Sequence, residues 1–361
     1  MEKKAPIKVL LVDDSPMVLK VLERILSSDP EISVVGRAKN GREALNLIPS
    51  LEPAVICTDY HMPEMDGLEF IRKVMKDNPR PILVLSVSVN ENNSQNIFNL
   101  LDAGALEVLA KPRGGINSNY QEISRELINK IKVVSGVFVF KKRVRLDPLA
   151  KKIKLTESPD STAIIHHKKL EVICIGASTG GPGILQDILA QLPKDFPIPI
   201  LCVQHVGEEF LMGLVKWLGR KCQLKVCVPE NGSFPLPGFI YFSPKNTHLE
   251  INHNGEFYLR PKSTSDCFCP SVDATFLSVA KHYGSAAVAI LLTGIGADGA
   301  KGMAAISDAG GLTIAQNENS CTVFGMPREA IALGAAQKVL NPDDILKTMV
   351  EIKNMFNHNL R

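Results

Sequence analysis

The residues best suited to chemistry are a serine and the glycines around it, in Gly176-Ala177-Ser178-Thr179-Gly180. In such a G-x-S-x-G motif the glycines permit a sharp turn that leaves the serine hydroxyl at the end of a strand. Residues 170–175 are apolar and mostly β-branched, which is typical of a buried parallel strand, and apolar residues recur at helical spacing from Gly183 onward. Ser178 is therefore a candidate nucleophile. Its simpler role would be to cap the helix.

Two more residues follow predicted strands of the same half of the chain. His205 comes just after the apolar run 198–203, and Asp298 follows the run 286–292. Because the carboxyl ends of parallel strands meet at one edge of a sheet, we expect both residues near Ser178. Ser178 would then be the nucleophile, His205 the general base and Asp298 the group that orients the imidazole. Taken singly, His205 could be structural and Asp298 a helix cap.

The motif spacing separates this site from two common alternatives. A dinucleotide-binding loop has the spacing G-x-G-x-x-G, whereas this turn has G-x-x-x-G-G and no acidic residue ends the next strand. The order Ser, His, Asp also differs from the Ser, Asp, His order of α/β-hydrolases. A binding module that has lost turnover and a nucleotide-binding enzyme remain the functional alternatives.

A second group of polar residues lies at predicted strand ends in the first half of the chain: Asp13, Asp14, Asp59, Ser86 and Lys111. Three carboxylates at one edge repel each other unless a hard cation lies among them, which favours Mg²⁺. Asp59 could then attack a phosphoryl group. Mg²⁺ and Lys111 would neutralise the developing charge, and Ser86 would offer its hydroxyl to the product.

Strand and helix patterns alternate in both halves and must position these residues. The first half contains five strand and helix pairs, with strands at 7–12, 32–38, 54–58, 82–87 and 105–109. The second half repeats the alternation and adds a β-hairpin predicted from 239–242 and 247–251. The predicted fold class is α/β, with two doubly wound parallel-sheet domains: a (βα)5 domain and a Rossmann-like hydrolase domain with a β-hairpin.

Composition sets the remaining limits. A length of 361 residues suits two domains, and a net charge of +3 is too small to argue for nucleic acid. We place the domains at 1–134 and 170–361. Between them, 135–169 reads as a basic linker, because 141–169 carries nine lysines and arginines against three acids. The chain shows no signal peptide and no long apolar run, so we expect a cytoplasmic protein without membrane insertion.

The first domain resembles the receiver domain of bacterial response regulators. The matching stretches are LLVDDSP, TDYHMPEMDGLEF, ILVLSVS and GALEVLAKP. The resemblance implies that Asp59 is the phosphoacceptor. The other implied roles are Mg²⁺ binding by Asp13, Asp14, Asp59 and the backbone carbonyl of His61, and a switch made by Ser86 and Lys111.

The second domain resembles the catalytic domain of the CheB methylesterase and glutamine deamidase family. The matching stretches are IGASTGGP, VQH, YFSPKNTHLE, SVDATFLSVA, LLTGIGADGAKGM, AGGLTIAQNE and VFGMPREA. The resemblance implies a triad of Ser178, His205 and Asp298, with Thr179 beside the nucleophile. Where the family commonly has TGMGNDG, this chain has Ile295, so only its backbone N–H could serve an oxyanion.

Together the two resemblances imply a phosphorylation-regulated hydrolase of chemotaxis. It would remove methyl esters from glutamyl side chains of methyl-accepting receptors, releasing methanol, and would also deamidate receptor glutamines. The implied partners are these receptors and a chemotaxis histidine kinase of the CheA type. Ester hydrolysis should need no cofactor, and Mg²⁺ should serve the receiver alone.

Overall fold

A computed structural model of the chain describes residues 5–86, 94–112, 119–137, 170–207, 210–244 and 246–358. Strands and helices alternate through both domains, as the sequence predicts. Most of the predicted linker, residues 138–169, lies outside the described residues, as does Val87 at the end of the fourth predicted strand. None of the described helices is long and apolar enough to cross a membrane.

The first domain is a parallel sheet with the strand order β2-β1-β3-β4-β5. Its elements are β1 (Ile7–Val12), α1 (Pro16–Leu26), β2 (Ile32–Ala38), α2 (Gly41–Leu51), β3 (Val55–Asp59), α3 (Gly67–Asp77), β4 (Ile82–Ser86), α4 (Ser94–Ala103), β5 (Glu107–Ala110) and α5 (Asn119–Val134). The strand order reverses direction between β1 and β3. In doubly wound sheets a ligand site forms at that point, outside the carboxyl ends of the strands.

The start of α1 shows how local sequence sets an element in place. Ser15 has an extended backbone and its side chain accepts a hydrogen bond from the N–H of Val18, while Pro16 occupies the first helical position. Both residues are favoured there, because the first turn of a helix has unpaired N–H groups and proline lacks one. The helix therefore begins directly after the Asp13-Asp14 pair and fixes its position at the sheet edge.

The second domain is a seven-stranded sheet with the order β14-β13-β12-β6-β7-β9-β8, and all its pairings are parallel. Its elements are β6 (Val172–Ala177), α6 (Gly181–Leu189), β7 (Ile200–Gln204), α7 (Leu211–Gly219), β8 (Lys225–Cys227), β9 (Phe239–Phe242), β10 (Thr247–Ile251), β11 (Phe257–Pro261), α8 (Val272–Tyr283), β12 (Ala287–Leu291), α9 (Ala300–Asp308), β13 (Leu312–Gln316), α10 (Met326–Ala332), β14 (Lys338–Leu340) and α11 (Pro342–His358). Its reversal of direction lies between β6 and β12. The fold class predicted from sequence is confirmed for both domains.

The β-hairpin of the second domain is made of other strands than predicted. β9 belongs to the large parallel sheet, where it pairs with β7 and β8. β10 instead pairs antiparallel with β11 and forms a separate two-stranded sheet, with Asn254 and Gly255 in the connecting turn. The pairing of β9 with β10 was therefore wrong. The apolar run of β9 is fully compatible with a parallel strand, and its partner β7 is remote in sequence.

The two domains contact each other through α4 of the first and α7 of the second. The rings of Phe98 and Trp217 stack with centroids 5.6 Å apart, and both side chains are buried. At the rim, Lys221 Nζ lies 3.4 Å from the Asp102 carboxylate. This junction places the carboxyl-terminal half of the first domain beside the start of α6, where the G-x-S-x-G turn lies.

Candidate functional site

The turn after β6 brings Ser178 against the loop that follows β12. The Ser178 N–H donates to the carbonyl of Thr293 at 3.0 Å, and Ser178 is buried. A Cβ at Gly294 would lie only 2.7 Å from the Ser178 Cβ, so glycine is required for this approach. At the start of α6, a Cβ at Gly181 would lie 2.1 Å from Oε1 of Gln204. The glycines next to the Ser178 turn thus allow close packing of the chain.

His205 and Asp298 form a direct pair at the same sheet edge. His205 Nε2 lies 2.8 Å from Asp298 Oδ2, and the Asp298 side chain is buried. Because Nε2 is engaged, Nδ1 is the imidazole nitrogen left for a substrate or nucleophile proton. Among the described residues, no hydrogen bond joins Ser178 Oγ to His205. Catalytic hydrogen bonds are often absent from unliganded sites and form only with substrate.

The Asp298 carboxylate receives three further hydrogen bonds from the start of α8. Val272 N–H donates to Oδ2 at 2.7 Å, while Ser271 Oγ and Asp273 N–H both donate to Oδ1 at 2.9 Å. Burial raises the pKa of this carboxyl, but His205 and the backbone N–H groups of Asp273 and Val272 outweigh this effect, so the pKa lies below its ordinary value. Asp298 is therefore held as an oriented, ionised acceptor for the imidazole.

Gln204 and Thr293 are positioning residues that sequence reasoning missed. Gln204 Nε2 donates to the carbonyls of both Ser178 and His205, at 2.8 and 2.9 Å. Thr293 Oγ1 donates to the carbonyl of Thr179 at 2.9 Å. Gln204 is the last residue of β7 and Thr293 follows β12, so both lie near the carboxyl end of a strand, as the predicted site residues do. This position is the feature of the sequence that could have identified them.

Thr179 and Ile295 lie on the two segments that flank Ser178. Within the described part of the chain, neither of their backbone N–H groups donates a hydrogen bond. Thr179 is fully buried and Ile295 is partly exposed. Unengaged N–H donors on the two segments next to a serine suit the stabilisation of a negatively charged oxygen.

The first domain gathers its predicted carboxylates at the edge between β1 and β3. Ligand oxygens of Asp13, Asp14 and Asp59 all lie within 4.8 Å of one another. Lys111 Nζ lies 2.7 Å from Asp13 Oδ2 and 2.8 Å from Asp59 Oδ2. Burial raises the pKa of Asp59, and Lys111 only partly opposes this effect.

Ser86 and His61 complete the predicted set at this edge. Ser86 is the last residue of β4, and its side chain is buried. His61 has an exposed side chain whose ring contacts Tyr60 at a centroid distance of 4.3 Å. Every residue predicted for the first domain thus lies at the carboxyl end of a strand or within two residues after it.

A buried lysine joins the two domains beside the candidate nucleophile. Lys130 Nζ, from α5, donates to Glu107 Oε1 at 2.5 Å and to Thr179 Oγ1 at 2.8 Å. A small cavity at the junction is lined by Phe98 of the first domain and reaches His205. The first domain therefore covers one side of the Ser178 turn. Neither Lys130 nor Glu107 was singled out from the sequence.

These features define a class: a two-domain α/β protein that joins a receiver-like acidic site to a domain with a serine, histidine and aspartate at one sheet edge. Comparison with family models agrees. Residues 9–117 match the response regulator receiver domain, and residues 173–349 match CheB methylesterase.

Curated relatives extend the similarity over nearly the whole chain. A protein-glutamate methylesterase/protein-glutamine glutaminase of Syntrophus aciditrophicus is 41% identical over 96% of this chain and 98% of its own. One from Geobacter metallireducens is 37% identical over 96% and 99%. The crystal structure of the Thermotoga maritima CheB methylesterase catalytic domain is 38% identical, covers 51% of this chain and 98% of its own, and has a TM-score of 0.49. The chain belongs to the CheB methylesterase family and carries its receiver domain.

The hydrogen bonds to Asp298 predict a pH-dependent stability difference. Asp298→Asn should lower the free energy of unfolding at neutral pH by about 1–3 kcal/mol, because hydrogen bonds to a charged group are lost. The pKa of Asp298 is lower in the folded protein than in the unfolded protein, so its ionised carboxylate stabilises the folded state at pH values above the unfolded pKa. This stabilisation is lost as the pH falls through the folded pKa. The gap between wild type and variant should therefore shrink below about pH 4.

Urea unfolding of both proteins between pH 7 and pH 3 measures this gap. The fluorescence of Trp217, the single tryptophan of the chain, reports on the second domain. A gap that stays constant over the whole range would contradict the role assigned to the ionised carboxylate.

Proposed function

We propose that this chain hydrolyses methyl esters of glutamyl side chains on methyl-accepting chemotaxis receptors and deamidates receptor glutamines. The observation that carries the proposal is the His205–Asp298 pair, 2.8 Å apart, at the sheet edge beside the buried Ser178 turn. The names of the curated relatives, protein-glutamate methylesterase/protein-glutamine glutaminase, supply the substrate class.

In the proposed mechanism, Ser178 Oγ attacks the ester carbonyl carbon while His205 Nδ1 takes the hydroxyl proton. Asp298 stabilises the imidazolium through Nε2. The N–H groups of Thr179 and Ile295 are the donors available to the oxyanion of the tetrahedral intermediate.

His205 then gives its proton to the leaving group, which departs as methanol. Water attacks the acyl-enzyme by the reverse sequence, freeing glutamate and Ser178. A glutamine follows the same route and releases ammonia. None of these steps calls for a metal ion or organic cofactor.

The first domain is proposed to be a receiver in which Asp59 accepts a phosphoryl group from a chemotaxis histidine kinase of the CheA type. Three carboxylates within 4.8 Å fit the oxygen ligands that Mg²⁺ prefers, and Asp13, Asp14 and Asp59 would hold it with the backbone carbonyl of His61. Bound there, Mg²⁺ would neutralise charge on the phosphoryl oxygens. Lys111 already lies between Asp13 and Asp59 and would share that role.

We propose further that the unphosphorylated receiver restrains the hydrolase by covering the approach to Ser178. Lys130 reaches across the junction to Thr179, next to the nucleophile, and buried apolar rings support the contact. A receptor helix is bulky and needs this side of the site open. Phosphorylation would draw Ser86 and Lys111 toward the phosphoryl group and disturb the adjoining β5, which carries Glu107.

Three substitutions test the chemistry. Ser178→Ala, His205→Ala and Asp298→Asn should each lower methanol release from methylated receptor by several orders of magnitude. Pairs of these changes should cost little more than one, because residues that act as a unit are not additive. Circular dichroism checks that each variant is folded. Retention of more than about a tenth of the wild-type rate by Ser178→Ala would rule out the covalent mechanism.

The receiver is tested by labelling with radioactive acetyl phosphate. Labelling should require Mg²⁺ and should be abolished by Asp59→Asn, because the amide is not a nucleophile for this transfer. Asp66→Asn, which alters an N-cap carboxylate near the site but outside the acidic cluster, is the matched control and should label normally. Wild-type labelling of Asp59→Asn would move the phosphoacceptor elsewhere.

The restraint is tested by Lys130→Met in the full-length chain. The unphosphorylated variant should release methanol on the order of tenfold faster than wild type, since a hydrogen bond to a charged group contributes about 1.5–3 kcal/mol. Lys132→Met is the control, because Lys132 pairs with Asp29 and Glu31 inside the receiver. An unchanged or lower rate for Lys130→Met would mean that this contact does not restrain the enzyme.

A further inference from the structure

A second histidine and aspartate pair, of which the histidine is buried, lies behind the candidate triad. His248, in β10, is 1% exposed and its Nε2 lies 3.0 Å from Asp266 Oδ2. Its Nδ1 accepts the backbone N–H of Ser271 at 3.2 Å. Because a backbone N–H can only donate, Nδ1 must be unprotonated and Nε2 must carry the proton. Both nitrogens of the neutral imidazole are therefore hydrogen-bonded to the same loop, Nε2 to Asp266 and Nδ1 to Ser271.

Asp266 is fixed strongly enough to set the orientation of this imidazole. Its carboxylate accepts the N–H of Ser263 at 2.7 Å and lies 3.2 Å from a guanidinium nitrogen of Arg260. These two partners, with His248, hold the pKa of the Asp266 carboxyl well below its ordinary value. Arg260 is itself paired with Glu250 across the β10–β11 hairpin. The acceptor that His248 needs is therefore ionised at neutral pH and held in place.

His248 forms hydrogen bonds to residues of the loop 266–273, which we call the positioning segment. This segment contacts His205 and Asp298, the two proposed partners of Ser178. Phe268 lies parallel to the His205 ring, with centroids 5.1 Å apart and planes 2° from parallel. The last three residues of the segment supply three of the hydrogen bonds that Asp298 accepts. One short loop thus sets the plane of the imidazole and the position of the carboxylate.

We propose that His248 is a positioning residue for the hydrolase reaction: by holding the Ser271 backbone it fixes the positioning segment, and with it the geometry of His205 and Asp298. The inference rests on the proposed function, because the placement of these two groups matters to turnover only if they serve Ser178. A purely structural His248 would stabilise the hairpin against α8 and leave the rate per folded molecule unchanged.

Two amide substitutions of nearly equal polarity separate the two roles. His248→Asn places an amide oxygen close to the position of Nδ1, so it can still accept the Ser271 N–H. His248→Gln places its amide near Nε2, so it keeps a partner for Asp266 and loses the bond to Ser271. Misplacement of reacting groups by about 1 Å can cost a hundredfold, so we expect kcat of His248→Gln to fall about tenfold to a hundredfold. His248→Asn should keep most of kcat, and KM should change in neither.

The control for simple destabilisation is Thr313→Val in β13, which belongs to the large parallel sheet and not to the β10–β11 sheet of His248. Thr313 is also fully buried and accepts a backbone N–H, that of Gln337, at 3.1 Å. This variant should lose comparable thermal stability without any loss of kcat. All rates are measured as methanol release by the full-length chain at saturating receptor.

A second readout does not depend on turnover. In ¹⁵N-histidine-labelled full-length protein, the Nε2–H proton of His205 reports its hydrogen bond to Asp298. Its chemical shift should move in His248→Gln and stay near the wild-type value in His248→Asn and Thr313→Val. Equal kcat and unchanged His205 shifts in folded His248→Asn and His248→Gln would overturn the proposal.

Failure of this inference and failure of the proposed function are distinguishable. Full activity of Ser178→Ala would refute the function, while the His205 signal would still test the positioning role. Should neither amide variant fold, Asp266→Ala carries the test, because Asp266 is more exposed than His248. A lower kcat and a shifted His205 signal are then expected, and wild-type values for both would overturn the proposal.

Discussion

The interaction on which the second domain depends is the burial of one charged carboxylate, that of Asp298, against the start of α8. An unpaired buried charge would cost several kcal/mol, so the fold must supply donors from all sides. It does so reciprocally. Asp298, just before α9, accepts N–H groups at the start of α8, while Asp273, in the first turn of α8, accepts the N–H groups of Gly299 and Gly302 at the start of α9. The free N–H groups at the start of α8 thus bond to Asp298, and those at the start of α9 bond to Asp273.

Much of this arrangement could be predicted from the sequence, because parallel strands are short apolar runs and polar residues mark where they end. β1, β2, β9 and β10 have the predicted bounds, and the other predicted strands differ by one or two residues at an end. Once the strands are known, the meeting of Ser178, His205 and Asp298 at one edge follows from the geometry of a parallel sheet. The same logic brought Asp13, Asp59 and Lys111 together in the receiver.

The supporting residues could not be predicted in this way, because their contacts join parts of the chain that are remote in sequence. His248, in a hairpin whose strand pairing was predicted wrongly from the sequence, contacts Asp266 and Ser271. Lys130 meets Thr179 only because the two domains are in contact, and helical periodicity alone marks Lys130 as an ordinary polar residue of α5. Short apolar strands such as β9 likewise fit several partners, and burial rather than local propensity decides among them.

The edge position of β5 gives the proposed regulation a physical route between the two sites. Glu107 begins β5 and holds Lys130, while Lys111 follows directly after the strand and pairs with Asp59. Four paired residues span only about 13 Å, so the strand can move as one unit. Among the strands that the structure describes, β5 pairs only with β4, which itself ends in Ser86. A displacement of β5 therefore breaks the hydrogen bonds to one neighbouring strand instead of two. A charge placed on Asp59 acts on Lys111, just after the end of β5, and the start of the same strand carries Glu107, which holds Lys130 against Thr179.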